Sequence, residues 1–254
     1  MMKPALASAA IASIALAPFL GIAAASAADG DAVANLEPVA LNGVHASGTA
    51  MVEVNGTRID VTMAASGLLP DNPHAAHIHF GADARHECPT AGEDTDGSGT
   101  LTTTEGGPAY GPVVVALTKT GDTSPDSTLA VDRYDTAPGG KLTYERGSIQ
   151  VSEEVAQAIV DGQAVVVIHG VDYNGDGKYD GDAKSDLDPK LPTEATDPAI
   201  CGVLSAAPDG GADTGMGGTA QGNGNNALYF LGGGLLVAAV GAGAASRRTG
   251  RDKP

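Results

Sequence analysis

Two runs of alternating residues, 47–54 and 57–66, flank the dipeptide Asn55-Gly56, and this arrangement constrains the chain more than any other feature. Alternation puts apolar side chains on one face of a strand, and Asn-Gly between two such runs is the strongest short signal for a tight hairpin. Further strands are expected over 75–80, 112–118, 127–133, 141–150, 164–169 and 199–204. One helix is expected over 153–160, with Ser152 as its N-cap, Glu153 and Glu154 in its first turn and Gly162 just past its end. Many short strands joined by Gly- and Pro-rich turns and long loops make an all-β chain, an antiparallel sandwich or barrel. There is no Trp and there are only 3 Phe, so the core must be built from Val, Ile, Leu, Ala and Met.

The ends frame this β region, which occupies 28–207. Residues 1–27 begin with Lys3, run apolar to Leu20 and close on Ala25-Ser26-Ala27, the pattern of a secretory signal peptide. A Gly-rich linker covers 208–227, flexible by composition. Residues 228–245 carry no charge and precede a basic tail over 246–254 with Arg247, Arg248, Arg251 and Lys253. That is the layout of a C-terminal transmembrane helix with its basic flank in the cytoplasm. The expected location is the outer face of the cell membrane or the cell wall. Ala212-Asp213-Thr214-Gly215 ahead of the apolar span resembles a sortase signal, with Gly211 where such signals open on Leu. A formal net charge of −17 disfavours nucleic acid and anionic lipid surfaces and favours cations. No protein partner can be named from the sequence.

Two acidic loops carry the most specific local chemistry. Over 94–105 the chain presents Asp94, Asp96 and Ser98 at positions 1, 3 and 5, Gly99 at 6, apolar Leu101 at 8 and Glu105 at 12. These are the chemical positions of an EF-hand calcium loop, with oxygens from Asp94, Asp96, Ser98, the Thr100 carbonyl and a bidentate Glu105. Pro89 and Gly92 before it and Gly106-Gly107-Pro108 after it argue against paired helices. A second, weaker loop offers Asp172, Asn174, Asp176, the Lys178 carbonyl and Asp180. Its twelfth position is Ala183, so the closing ligand is lost unless Asp182 or Asp186 substitutes.

The six histidines carry the other signal: His45, His74, His77, His79, His86 and His169. A strand period of two puts His77 and His79 on one face and Ile78 on the other, half of a transition-metal site. His169 closes the apolar run 164–168, where a polar side chain needs a reason.

His77-Ile78-His79-Phe80-Gly81 is similar to the H-x-H-x-F-G strand of copper–zinc superoxide dismutases. Cys88-Pro89-Thr90-Ala91-Gly92 resembles that family's C-x-x-A-G, and Ile200-Cys201-Gly202-Val203-Leu204 its A-C-G-V-I. The run Val166-Val167-Ile168-His169 resembles the strand that ends in its last copper histidine. The chain also resembles CHRD (chordin-type) domains in Ser47-Gly48-Thr49-Ala50, Ala75-Ala76-His77-Ile78-His79, Gly111-Pro112-Val113-Val114-Val115, and Asp161-Gly162 leading into 164–169. Both resemblances imply an immunoglobulin-like Greek-key β-sandwich of the copper–zinc dismutase type with long loops. The dismutase resemblance implies copper at His77, His79 and His169, and ligands of one shared ion would have ring nitrogens about 3–4 Å apart. The same resemblance implies a Cys88–Cys201 disulfide, in keeping with two cysteines in an exported chain.

The departures from the dismutase pattern matter as much. Where that family places the histidine bridging copper and zinc, this chain has Asp94, and no zinc-histidine cluster follows. Where it places an arginine that guides superoxide, this chain has Asp197-Pro198-Ala199. The reading favoured is a non-enzymatic, surface-anchored metal-binding module holding calcium and copper, with no catalytic residue. The alternative is an extracellular superoxide dismutase with a zinc-free copper site, and a purely structural adhesive domain is a third.

Overall fold

A computed structural model describes residues 28–207. The leader over 1–27, the linker, the span over 228–245 and the basic tail lie outside the described residues. Among the described residues no helix is long and apolar enough to cross a membrane.

The chain is mostly β, and every strand pairing is antiparallel. Its strands are β1 (Asp29–Pro38), β2 (Ser47–Asn55), β3 (Arg58–Ser66), β4 (Ala76–His79), β5 (Val113–Ala116), β6 (Lys141–Gln150), β7 (Val165–His169), β8 (Pro198–Val203) and β9 (Ser205–Ala206). They form one curled sheet in the order β5-β4-β7-β8-β1-β2-β3-β6, with β9 also paired to β1. Strand β1 is the corner. It pairs with β2 along most of its length, then hands Glu37 and Pro38 to Cys201 and Ile200 of β8.

The curl brings one face of β1-β2-β3-β6 onto one face of the other four strands. Ala50, Val52 and Val54 of β2 and Ile59, Val61 and Met63 of β3 point inward, with the intervening residues exposed or half-exposed. They share one buried cluster with Ile78, Val166, Ile168 and Ile200 from across the curl. The hairpin between β2 and β3 pairs Asn55 with Arg58, so its turn is Gly56-Thr57, one residue beyond the expected Asn55-Gly56 centre. Gly56 sits at φ 62°, the left-handed backbone such a turn demands.

Helix α2 (Glu153–Val160) forms as expected, with the Ser152 hydroxyl accepting the Val155 N–H at 3.2 Å and Gly162 past its end. It packs against β1, β2 and β9, burying Val155, Ala156, Ala158 and Ile159.

Three expectations are corrected. Residues 127–133 are not a strand but the 3-10 turns Pro125–Ser127 and Val131–Arg133. Asp122 draws in this segment by accepting the hydroxyls of Ser124 and Ser127, and Arg133 donates to Ser127 Oγ, so side-chain bonds replace a ladder. Strand β1 lies outside the expected strands, because its inward residues Ala32 and Ala34 are small and its ends carry Gly30 and Pro38. A second helix, α1 (Thr103–Tyr110), starts inside the first acidic loop despite Pro108. It forms because Thr102 and Glu105 make a reciprocal capping box at its start. The segment before the loop has only the 3-10 turn Ala91–Glu93, so no helix pair flanks it.

Candidate metal centre

Strand β4 is buried on both faces. Ala76 and Ile78 look into the main core, while His77 and His79 look the other way, beneath the long loops. Antiparallel pairing sets His77 opposite Val167 of β7, and alternation carries His169 to the same face two residues later. That face is closed by a second buried cluster of Val39, Leu101, Tyr110, Val165, Val167 and Cys201. The Cys88–Cys201 disulfide, expected from the resemblance, is present and pins the first long loop to β8. Asn42 adds a second pin, donating to the Leu101 and Pro198 carbonyls at 2.9 and 2.8 Å and accepting the Leu101 N–H at 2.7 Å.

Register breaks sit beside two of the histidines. The β4–β5 ladder shifts between Ile78 and His79, and the β7–β8 ladder between Ile168 and His169. Bulges of this kind re-aim side chains, and both occur where a histidine must turn toward the others.

The three imidazoles meet. One ring nitrogen from each of His77, His79 and His169 lies within 4.8 Å of the other two. Each ring is held by its other nitrogen. His79 Nδ1 pairs with the Gly111 carbonyl at 2.8 Å, and His169 Nδ1 with the Thr196 carbonyl at 2.6 Å. His77 Nε2 lies 2.8 Å from the Tyr134 hydroxyl and 3.2 Å from the Thr128 carbonyl. A carbonyl only accepts, so each anchored nitrogen carries the proton and the opposite nitrogen keeps its lone pair.

Those opposite nitrogens, His77 Nδ1, His79 Nε2 and His169 Nε2, each expose less than 1 Å² and have no hydrogen-bond partner. They are the only orphaned buried side-chain nitrogens or oxygens among the described residues. Burial depresses all three basicities. It holds His79 down to about 3 and His169 to about 4, with the His169 ring adding to the effect at His79. His77 falls well below its ordinary value through burial and then through His169 and His79. Leaving three acceptors unpaired in a dry site is costly, and a cation is the partner that all three could share.

The other histidines do not join. His74 bonds the His169 and Leu69 carbonyls, His86 bonds the Gly81 carbonyl against Phe80, and His45 is exposed.

The first acidic loop brings carboxylate oxygens of Asp94, Asp96 and Glu105 within 4.8 Å of one another. Asp94 accepts the N–H groups of Ser98 and Gly99, and Asp96 accepts that of Ser98. The Ser98 hydroxyl lies 3.3 Å from the Thr100 carbonyl. Glu105 accepts Thr95 N–H at 2.9 Å and Thr102 N–H at 3.0 Å, loop positions 2 and 9.

The second loop repeats this wiring. Asp172 accepts Gly175 and Gly177 N–H, Asn174 accepts Asp176 N–H, and Asp176 accepts Lys178 N–H. Asp180 is engaged with the Asn174 amide at 3.1 Å. Asp186 does not close this loop, because its carboxylate caps Thr104 N–H of α1 at 2.8 Å. The buried Glu194 stands there instead, accepting Tyr173 N–H at 2.9 Å and Asp180 N–H at 2.8 Å, again positions 2 and 9. Sequence spacing could not reveal Glu194, since it lies well outside the twelve-residue window. Its surroundings are the signal: a carboxylate in the strand-proximal turn Thr193–Ala195, just ahead of β8.

The CHRD domain family model matches residues 25–177, a stretch that contains all three clustered histidines. No curated protein matches the chain. Among solved structures, a point mutant of Candida albicans superoxide dismutase 5 is similar, with 16% identity and a TM-score of 0.36, over 74% of this chain and 99% of that one.

Proposed function

The chain belongs to the CHRD domain family, and on that premise we propose that it is an exported, surface-anchored metal-binding module rather than an enzyme. A transition metal, copper, binds at His77, His79 and His169, and calcium binds at the acidic loops. The observation that carries the copper site is the set of three buried, unpartnered ring nitrogens, one per histidine, each with its sister nitrogen anchored. Anchoring fixes tautomer and ring orientation before metal arrives, which is how outer-shell partners raise the quality of imidazole ligands. Imidazole nitrogens suit copper as ligands.

Calcium at Asp94, Asp96, Ser98, the Thr100 carbonyl and Glu105 is supported by the converging carboxylates and the motif spacing. A second ion at Asp172, Asn174, Asp176, the Lys178 carbonyl and Asp180 is supported by Glu194, which takes up the hydrogen bonds that Glu105 takes up in the first loop. Export by 1–27 and anchoring by 228–245 rest on their sequence pattern.

The alternative reading, an extracellular superoxide dismutase, is favoured by the histidine triad itself. Against it stand the sealing of all three free nitrogens from solvent and a net charge of −17, which repels an anionic substrate. The test is metal analysis of the purified protein after copper loading and dialysis, paired with a superoxide-decay assay on the same sample. Retained copper without superoxide decay supports the module. Rapid decay that depends on His79 supports the enzyme. A protein that retains no copper would discard both.

A further inference from the structure

We propose that the sealed histidine triad selects copper in its monovalent state, Cu(I), and discriminates against Cu(II) and Zn(II). This rests on the reading of the triad as a metal site and goes on to say which ion it takes. Three features of the site lead to it.

The first is the donor count. Only His77, His79 and His169 form the set, and no carboxylate or thiolate belongs to it. Both cysteines are spent in the disulfide. Zn(II) takes four ligands in closed sites, and Cu(II) takes four or more in tetragonal ones. Cu(I), with a filled d shell and one charge, is satisfied by three nitrogens.

The second is charge. The tautomers fixed by Gly111, Thr196 and the Tyr134–Thr128 pair leave three neutral rings, so nothing in the donor set cancels the charge of an ion. The cost of burying an ion rises with the square of its charge, so a divalent ion pays about four times what a monovalent one does in the same cavity. The acidic group that acts on the triad is Asp186, which favours the charged form of His169 but is itself exposed and occupied at the start of α1.

The third is access. Each free nitrogen exposes less than 1 Å². The Tyr110 ring lies 4.5 Å from that of His79, and the Tyr134 ring 5.5 Å from that of His77. Both tyrosines are buried, so water that would complete the shell of a divalent ion has no ready way in. Softness is not the selector, since imidazole accepts both copper states.

The test is an anaerobic titration of the full-length protein with Cu(I) buffered by bicinchoninate. Parallel titrations use Cu(II) buffered by glycine and Zn(II) buffered by nitrilotriacetate. One Cu(I) should bind per chain with a dissociation constant about 100-fold or more below that of either divalent ion. The loaded protein should stay silent in electron paramagnetic resonance after exposure to air, and His169→Gln should abolish tight Cu(I) binding. Cu(II) or Zn(II) binding as tightly as Cu(I) at the triad, or a Cu(II) signal growing in air, would overturn the selectivity while leaving the metal site standing. Failure of all three ions to bind would overturn both.

Discussion

The carbonyl of Gly111 accepts the Nδ1–H of His79 at 2.8 Å, so the residue that ends helix α1 also aims a histidine of the metal centre. Gly111 has φ 86°, and a Cβ there would come within 2.9 Å of the Gly81 nitrogen and the Phe80 carbonyl carbon. The position therefore needs glycine both for its backbone and for its space. Gly111→Ala should lower stability by about 1–3 kcal/mol and weaken copper binding about 10-fold or more, as His79 loses its fixed orientation. Thermal melts of the metal-free protein and copper titrations check the two effects separately.

Tyr134 bears on His77 in the same way. Tyr134→Phe keeps the ring and removes the hydroxyl that receives the His77 Nε2–H, leaving the Thr128 carbonyl at 3.2 Å as the remaining acceptor. Stability should fall by about 1 kcal/mol, and copper affinity by more than that loss alone requires, because ring orientation loosens. An unchanged copper titration would remove Tyr134 from the account.

Calcium should raise the melting midpoint by mass action, adding about 2.7 kcal/mol of stability per site at a hundred times its dissociation constant. Glu105→Ala loses its capping role at α1 even without calcium, so the quantity to read is the calcium-dependent increment. That increment should drop in Glu105→Ala and, independently, in Glu194→Ala. A melting curve indifferent to millimolar calcium would contradict both loops.

Asp197 makes a pH prediction. It is fully buried between the Tyr173 and Thr193 hydroxyls, and burial pushes its carboxyl up to about 7 although those two hydrogen bonds pull the other way. An unfolded aspartate titrates near 3.9, so between about pH 4 and pH 7 the folded chain holds a proton that the unfolded chain has released. This group's contribution to stability therefore declines as pH rises through that window and is level above it. Asp197→Asn should flatten that decline in a series of urea denaturation curves. An equal decline in the variant would assign it to other groups.

The strands and the histidine face were legible because both follow from local alternation: Ile78 inward and His77 and His79 outward needs no knowledge of the rest of the chain. The partner His169 was legible as a polar end to an apolar strand, but its approach to the pair depends on the β4–β7 register. What eluded the sequence is held by contacts from afar. Glu194 meets its loop from 22 residues beyond Asp172, so no motif window includes it. Tyr134 directly follows the segment 127–133, whose alternation resembles a strand but serves a loop tied to Asp122. Helix α1 was hidden by Gly106, Gly107 and Pro108, and it forms on the strength of the Thr102–Glu105 cap.

The central claim is that the three free nitrogens of His77, His79 and His169 hold one metal ion. X-ray absorption fine structure of the copper-loaded, dialysed protein tests it most directly. The account predicts one copper per chain with three nitrogen neighbours at about 2 Å and outer-shell scattering from imidazole carbons. Copper with oxygen neighbours alone, or no copper retained after dialysis, would contradict it.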